Sequence, residues 1–251
     1  MQNYNFKTFL ITRFGLGQKF DDFYNRELPY LEKLLIKSIL KQKKYITKWI
    51  ILIDINTPKY VYEKLIKLLP KDLLHIYMND PFLTGSNMPN INIILKNLDV
   101  RINDKVVTIR VDADDIISYN YMRSVIDVIN RVNIKDKYKL ISIDSPNGVY
   151  FYPIKNKFIR VLKKGYSVQA LYSIFGKNFR SVYDYSHQKL GKDILKESGY
   201  SCEIDRKDLW IRSMRQHSVT RFGKKIGIFE GRFNIIKNIV KKVSYKFLKN
   251  S

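Results

Sequence analysis

Through its first half the chain alternates short apolar runs with longer amphipathic stretches, and no other feature restricts its fold so tightly. The runs "TFLIT", "KWIILID", "LLHIYM" and "VVTIRVD" read as strands. Helical spacing fills the gaps from about Asp21 to Lys41, from about Lys59 to Leu69, and within Met88 to Leu98. A fourth helix is expected from about Ile116 to Val132. Strands joined through helices pair in parallel, so the pattern predicts an α/β protein with a mainly parallel sheet covered by helices on both faces. In such sheets ligands sit at the carboxyl ends of the strands. Beyond Val132, "YKLISIDSPNGVYFYP" reads as two strands around the turn residues Ser145 to Gly148, and the second half is expected to end in two helical stretches.

Composition narrows the class. At 251 residues and 45% hydrophobic, the chain can bury a full core, and it has no repeat and no Pro/Gly-rich hinge that would divide it. The single cysteine, Cys202, excludes an internal disulfide and any multi-cysteine metal site, which favours a reducing compartment and makes the cytoplasm the expected location. The run "FLITRF" is too short for a signal-peptide core, and the longest solid apolar run, "WIILI", is far below membrane-spanning length. A net charge of +23 invites a nucleic-acid reading, but the lysines are spread along the whole chain, so nucleic acid is not the expected partner. Charge concentrates only at the end, where Arg221 to Ser251 holds nine Lys or Arg against Glu230 over an apolar series of Phe233, Ile236, Val240, Val243 and Phe247. Such a helix either packs on the domain with a solvated outer side or lies on an anionic membrane surface, which would make the protein peripheral on the inner face of a membrane.

The strand exits carry the chemistry. The first leaves into "TRFGLGQ", whose Gly15 and Gly17 suit a phosphate-hugging turn. Phe20 stands where a dinucleotide fingerprint wants a small residue, and no Lys-Ser/Thr follows to make a P-loop. Arg13 sits at that exit, and a guanidinium there matches phosphate geometry. Asp54 ends the second strand and Asn79-Asp80 the third, where they can read a base or ribose or serve as turn and cap residues. The fourth exit, "TIRVDADD", is sharper. Val106, Val107, Ile109 and Val111 mark a buried strand, and with period-two alternation Asp112 and Asp114 can face the same way. A hard cation, Mn²⁺ or Mg²⁺, takes such oxygen ligands and leaves other positions for a diphosphate; the alternative is a solvated acidic turn. Asp115 precedes Met122, Val125, Ile126 and Ile129 and reads as the cap of that helix. Arg110, a charge inside an apolar strand, is held either by a ligand or carboxylate or in a structural ion pair.

These residues carry a resemblance. Strand-terminal "RVDADD" resembles the Asp-x-Asp motif of glycosyltransferases with the GT-A fold. Its combination with "ITRFGLG" resembles the putative rhamnosyltransferase family, in which a Thr-Arg-Phe element precedes an Arg-x-Asp-x-Asp-Asp element. "SVYDYSHQKL" and "LWIRSMRQH" are similar in character to that family's histidine-bearing and tryptophan-to-histidine segments, although the seven positions from Trp210 to His217 exceed the family spacing. The resemblance implies a GT-A-like, Rossmann-type sheet with a C-terminal acceptor-side region, to which the apolar spacing after Arg221 adds a terminal amphipathic helix. Residues 1–225 would form one catalytic domain, with 1–115 as the nucleotide-binding half and 116–225 as the acceptor-side half, and 226–251 would be the basic helix. It also implies a nucleotide-diphosphate sugar as donor, a glycan or lipid-linked glycan as acceptor, a metal on Asp112 and Asp114, and nucleotide contacts from Thr12, Arg13, Phe14, Arg110 and Asp112, to which the position of Asp54 adds a further candidate.

Of the three histidines, His217 is the candidate for completing the metal or diphosphate site, since neutral imidazole binds Mn²⁺ and imidazolium faces phosphate. His187 either packs against Tyr183 and Tyr185 or touches a sugar hydroxyl, and His75 is assigned no role. An inverting transfer needs a carboxylate to accept the acceptor's proton, with Asp144, Glu203 and Asp205 as candidates; a retaining transfer leaves them as turn or cap residues. Two other classes stay open. A metal-dependent nuclease or phosphoryl-transfer enzyme would bring further carboxylates from a neighbouring strand, and a non-catalytic nucleic-acid-binding protein would show a contiguous cationic groove.

Overall fold

The computed structural model describes residues 6–18, 21–80, 88–133, 137–152, 157–162, 168–206 and 209–213. Strands β1 (Lys7–Arg13), β2 (Lys48–Asp54), β3 (Leu74–Asn79) and β4 (Lys105–Arg110) lie side by side in the order β3-β2-β1-β4, all parallel. The sheet continues through β9 (Gln169–Ile174), antiparallel to β4, then β6 (Leu140–Asp144), antiparallel to β9, and ends in β10 (Tyr200–Glu203), parallel to β6. Of its seven strands only β9 runs against the rest. The helices are α1 (Asp21–Tyr30), which passes through a wider-wound stretch (Leu31–Ile36) into α2 (Lys37–Leu40), then α3 (Lys59–Leu68), α4 (Ile91–Lys96), α5 (Tyr121–Val132) and α6 (Leu190–Lys196). The mainly parallel, helix-flanked sheet is the fold class the sequence pattern predicts.

The reason is visible residue by residue. Every residue of β2 after Lys48 is buried. Successive residues serve opposite faces: Phe9, Ile11, Ile50, Leu52 and Val106 pack with Ile91, Ile94 and Leu95 of α4, whereas Leu10, Ile51, Ile53, Val107 and Ile109 pack with Leu28, Val61, Leu65, Val125 and Ile129 of α1, α3 and α5. Each such side chain contributes about 1.5–3 kcal/mol when fully buried, so a sheet apolar on both faces is stable only between two layers.

A second sheet is built from β5 (Asp115–Ile117), β11 (Trp210–Ser213), β7 (Asn147–Tyr152) and β8 (Lys157–Leu162), in the order β5-β11-β7-β8. It corrects several expectations. The helix expected from Ile116 begins only at Tyr121, because Ile116 and Ile117 pair with Ile211 and Trp210 of β11 and the Ser118 N–H donates to the Leu209 carbonyl at 2.8 Å. Asp115 is therefore a strand residue and not a helix cap. The two strands expected around Ser145 to Gly148 are present, and they lie in different sheets: β6 belongs to the large sheet and β7 to the small one, and the chain crosses between them there. Where helices were expected near the end, the described residues hold only α6, followed by β10 and β11. The basic terminal segment from Arg221 and the candidate ligand His217 lie outside the described residues. Among the described residues no helix is long and apolar enough to cross a membrane.

Candidate active site

Register places the first components. Ile11 of β1 pairs with Arg110 of β4, and one step further the Val111 N–H donates to the Ile11 carbonyl at 3.1 Å. That bond carries the chain leaving β4 past the end of β1, where Arg13 Nη2 lies 3.6 Å from Asp112 Oδ1. Strand alternation does not bring the acids together, because β4 ends at Arg110. A turn does so instead: the Asp115 N–H donates to the Asp112 carbonyl at 3.0 Å, and the carboxylates of Asp112, Asp114 and Asp115 offer oxygens all within 4.8 Å of one another.

The opposing charge arrives from the small sheet. Arg212 of β11 pairs in register with Asp115 of β5. Its Nε donates to Asp115 Oδ1 and its Nη2 to Asp115 Oδ2, both at 2.8 Å, and Nη2 also reaches Asp112 Oδ2 at 3.2 Å. Such a fork is the strong form of an arginine–carboxylate pair, and here it is shielded: the Asp115 side chain is 1% exposed and that of Arg212 is 11% exposed. Trp210 fixes the strand. Its indole is fully buried, donates from Nε1 to the Ser145 carbonyl at 2.6 Å, and lies so close over Gly148 that a Cβ there would enter the ring.

Burial pushes the Asp115 carboxyl above its ordinary range, with Arg212 pulling against it. The same burial opposes the Arg212 charge, but Asp115 and Asp112 outweigh it and hold the guanidinium firmly protonated. Asp112 is desolvated too, yet Arg212, Arg13, His187 and Arg110 together carry its pKa below the usual carboxylate value.

Arg110 is held by groups other than a carboxylate. Its Nη2 donates to the carbonyls of Val182 at 2.6 Å and Tyr185 at 3.2 Å, and its guanidinium lies 4.2 Å from the Tyr183 ring centroid. Arg13 approaches the same ring at 5.7 Å. The Val182 N–H donates to Thr108 Oγ1 at 2.9 Å, and Gln169 Nε2 donates to the His187 carbonyl at 3.0 Å. Thr108, Arg110 and Gln169 thus strap the segment Val182–His187 across the ends of β4 and β9. His187 Nδ1 is buried there without a partner among the described residues, as is Arg110 Nε. Burial and then Arg110 lower the His187 pKa to about 4 against the opposing pull of Asp112, so a neutral imidazole stands beside the acids.

The remaining sequence candidates are placed as follows. Thr12 is buried, and its Oγ1 accepts from Trp49 Nε1 at 3.0 Å. Phe14 is fully buried, edge-on to Tyr24 at 5.8 Å. Asp54 braces the turn after β1: Oδ2 accepts from the Gly17 N–H at 3.2 Å, and Oδ1 accepts from the Asn56 N–H and from Asn56 Nδ2 at 3.0 Å. Gly15 and Gly17 in that turn have φ of 77° and 74°, the left-handed region that disfavours a side chain. Asp144, half-buried at the end of β6, accepts from the Ser145 N–H at 2.9 Å and pairs in register with Gln169 on one side and Glu203 on the other. Glu203 and Asp205 are exposed. Arg13, Asp112 and Asp114 are thus gathered at one place, Arg110 turns to the neighbouring strap, and Thr12 and Phe14 face the core.

Sequence reasoning missed Asp115, Arg212 and the proximity of His187. One signal for Arg212 was present: like Arg110, it follows an apolar run, Leu209 to Ile211, and a charge in that position needs a partner.

The donor set suits a hard divalent cation, which prefers carboxylate oxygens. Arg212 takes both oxygens of Asp115, so Asp112 and Asp114 are the residues that fit as ligands. Among the described residues, three carboxylates meet the guanidinium groups of Arg13 and Arg212 here, a mixture in keeping with a cation that also carries phosphate.

Acids and guanidinium groups gathered at the carboxyl ends of a mainly parallel sheet suit a ligand that brings phosphate and a cation together. The chain belongs to the family described as "Putative rhamnosyl transferase", whose model matches residues 21–224, and it is accordingly a glycosyltransferase. Among curated proteins none matches. Similar solved structures include residues 1–349 of TarS from S. aureus, with 14% identity over 82% of this chain and 60% of that one at a TM-score of 0.46. The inositol-1-phosphate CTP transferase from T. maritima matches with 10% identity over 83% of this chain and 89% of that one at 0.44. A nucleotide-diphospho-sugar transferase from Desulfovibrio desulfuricans G20, itself described as putative, matches with 9% identity over 79% of each chain at 0.41. All three are distant likenesses.

Proposed function

We propose that the protein moves a sugar from a nucleotide-diphosphate donor to a hydroxyl of a glycan, or of a lipid-linked glycan at the cytoplasmic face of a membrane, with a divalent cation held by Asp112 and Asp114. The observation that carries this reading is the convergence of the Asp112–Asp115 turn with Arg13 at the carboxyl end of β1. In the proposal, residues 1–225 act as one catalytic unit, and His217 and the basic helix 226–251 complete it.

A cation bound there would supply positive charge to the diphosphate as the bond to the sugar breaks. The protein's own groups set the stage for that step. Arg13, half-exposed, offers the fork geometry that pairs with phosphate oxygens. Arg110, fixed by carbonyls and the Tyr183 ring, adds positive potential without swinging into the site. Asp144 is the favoured proton acceptor for an inverting transfer, because it is half-buried in the row of strand ends Arg110, Gln169 and Asp144. A nuclease reading asks for further carboxylates on a strand beside β4, and at that place β1 presents Arg13 and β9 presents Gln169.

A thermal-shift panel of UDP, dTDP and GDP with Mn²⁺ tests the reading and identifies the base. One of the three should raise Tm, since ligand at a hundred times its Kd stabilises by about 2.7 kcal/mol, and Asp114→Ala should abolish the rise. Failure of every nucleotide to shift Tm would sink the proposal.

A further inference from the structure

We infer that Arg212 is a positioning residue that decides which carboxylates of the acidic turn can hold the cation. The inference rests on the reading above, that Asp112 and Asp114 carry a divalent ion. Its basis is geometric. Arg212 engages both oxygens of Asp115 at 2.8 Å and one oxygen of Asp112 at 3.2 Å, in a setting where Asp115 is almost fully enclosed. A carboxylate with both oxygens in an arginine fork keeps one in-plane lone pair on each oxygen, directed away from the fork, and here the fork is fixed by backbone pairing between β11 and β5 around an almost fully enclosed Asp115. Asp115 is thereby withdrawn from the ligand set, although its oxygens lie as near to the others as those of a ligand.

Asp112 is treated differently. Arg212 touches only its Oδ2, while Oδ1 faces Arg13 at the longer distance of 3.6 Å. The guanidinium therefore orients this carboxylate and leaves it able to share an oxygen with an ion. Without Arg212 the turn would present three negative groups, a set that attracts a bare divalent cation strongly and gains less from an added diphosphate. With it, Asp115 is engaged, and the cation's remaining positions are left to an anionic donor. Arg212 thus biases the site toward the cation–nucleotide complex over the free cation. Its delivery depends on Trp210 seated on Gly148, two residues before it in the same strand.

Mn²⁺ titration followed by electron paramagnetic resonance reads this directly, with no need for turnover. Arg212→Met should tighten binding of Mn²⁺ alone by about tenfold or more and reduce the further tightening produced by a nucleoside diphosphate. Because that substitution strands the buried Asp115 carboxylate, the paired variant Arg212→Met/Asp115→Asn is the companion measurement. It should bind Mn²⁺ at least as tightly as the parent, since neither residue is a ligand. Arg212→Lys, which keeps the charge and loses the fork, should fall between the parent and Arg212→Met. If the paired variant binds Mn²⁺ about tenfold more weakly than the parent, Asp115 is a ligand and the inference is overturned while the cation site stands. If the parent binds neither Mn²⁺ nor Mg²⁺, with or without nucleotide, the site reading and this inference fall together.

Discussion

The two sheets differ in how their strands come to exist. In the β1–β4 half, β1, β2 and β4 each hold a run of five or more buried residues, the edge strand β3 is only half-buried, and parallel neighbours are set by the helices that connect them. In the small sheet β5 has three residues and β11 four, and they lie almost a hundred positions apart in the chain. Neither is long enough to announce itself by period. They are held by a buried indole, a glycine without which the indole would not fit, and an ion pair. The large sheet aims Arg13 and the first aspartate; the small one sets the charge state of the acids. Geometry and electrostatics of the site are thus separable, and substitutions should expose the division.

The largest effect should come from the anchor of the small sheet. Trp210→Ala removes a fully buried indole and its hydrogen bond, and is expected to cost about 3–5 kcal/mol in denaturant unfolding. It should also weaken the nucleotide-dependent Tm rise, since Arg212 loses its placement. An unchanged midpoint would mean that the small sheet is dispensable to the fold.

Arg212→Met should cost a comparable amount, about 3–5 kcal/mol near neutral pH, because it leaves the Asp115 carboxylate buried and unpaired. The pH dependence carries the signature. Burial already raises the Asp115 pKa, and loss of Arg212 removes the main opposing pull. The native state then takes up a proton before the unfolded chain does, so stability of the variant should recover as pH falls through the raised native value toward the unfolded value of about 3.9. Stability curves of variant and parent that stay parallel between pH 8 and pH 4 would contradict the pairing.

A smaller effect of opposite sign is expected at His187. With its folded pKa at about 4, below the unfolded value of about 6.5, the unfolded chain protonates first. The stabilising contribution is complete above the unfolded value and is lost as pH falls toward about 4. His187→Gln should therefore flatten the acid limb of the parent's stability curve in that window, as measured by urea midpoints at a series of pH values.

The smallest effect belongs to the large sheet's turn. Gly17→Ala places a methyl group in open space but at a φ of 74°, and should cost about 1–2 kcal/mol through backbone strain alone. A change much larger than this would show that the turn after β1 is packed as tightly as the small sheet. A tightened Asp54 brace would appear as slower amide exchange at Gly17.

Much of the large sheet was legible because burial on two faces leaves a continuous apolar run, and because Arg13 and the Asp112–Asp114 pair interrupt such runs at their ends. Asp115 misled because a carboxylate just before an apolar series has the same local appearance whether it caps a helix or pairs with an arginine far along the chain. Thr12 and Phe14 show the opposite case: they neighbour Arg13 in sequence, yet a strand turns alternate residues to opposite sides, and both are spent on packing. His187 looked like one aromatic neighbour among several, and only the strap from Thr108, Arg110 and Gln169 brings it to the acids.

What the amino-acid sequence determined by itself is the parallel α/β core and the position of one acidic turn at a strand's end, since hydrophobic period and local charge are properties of neighbouring residues. What the tertiary structure alone decided is the fate of each carboxylate in that turn. A side chain's charge is balanced through space, and the guanidinium that balances Asp115 is brought to it by strand pairing across the length of the chain.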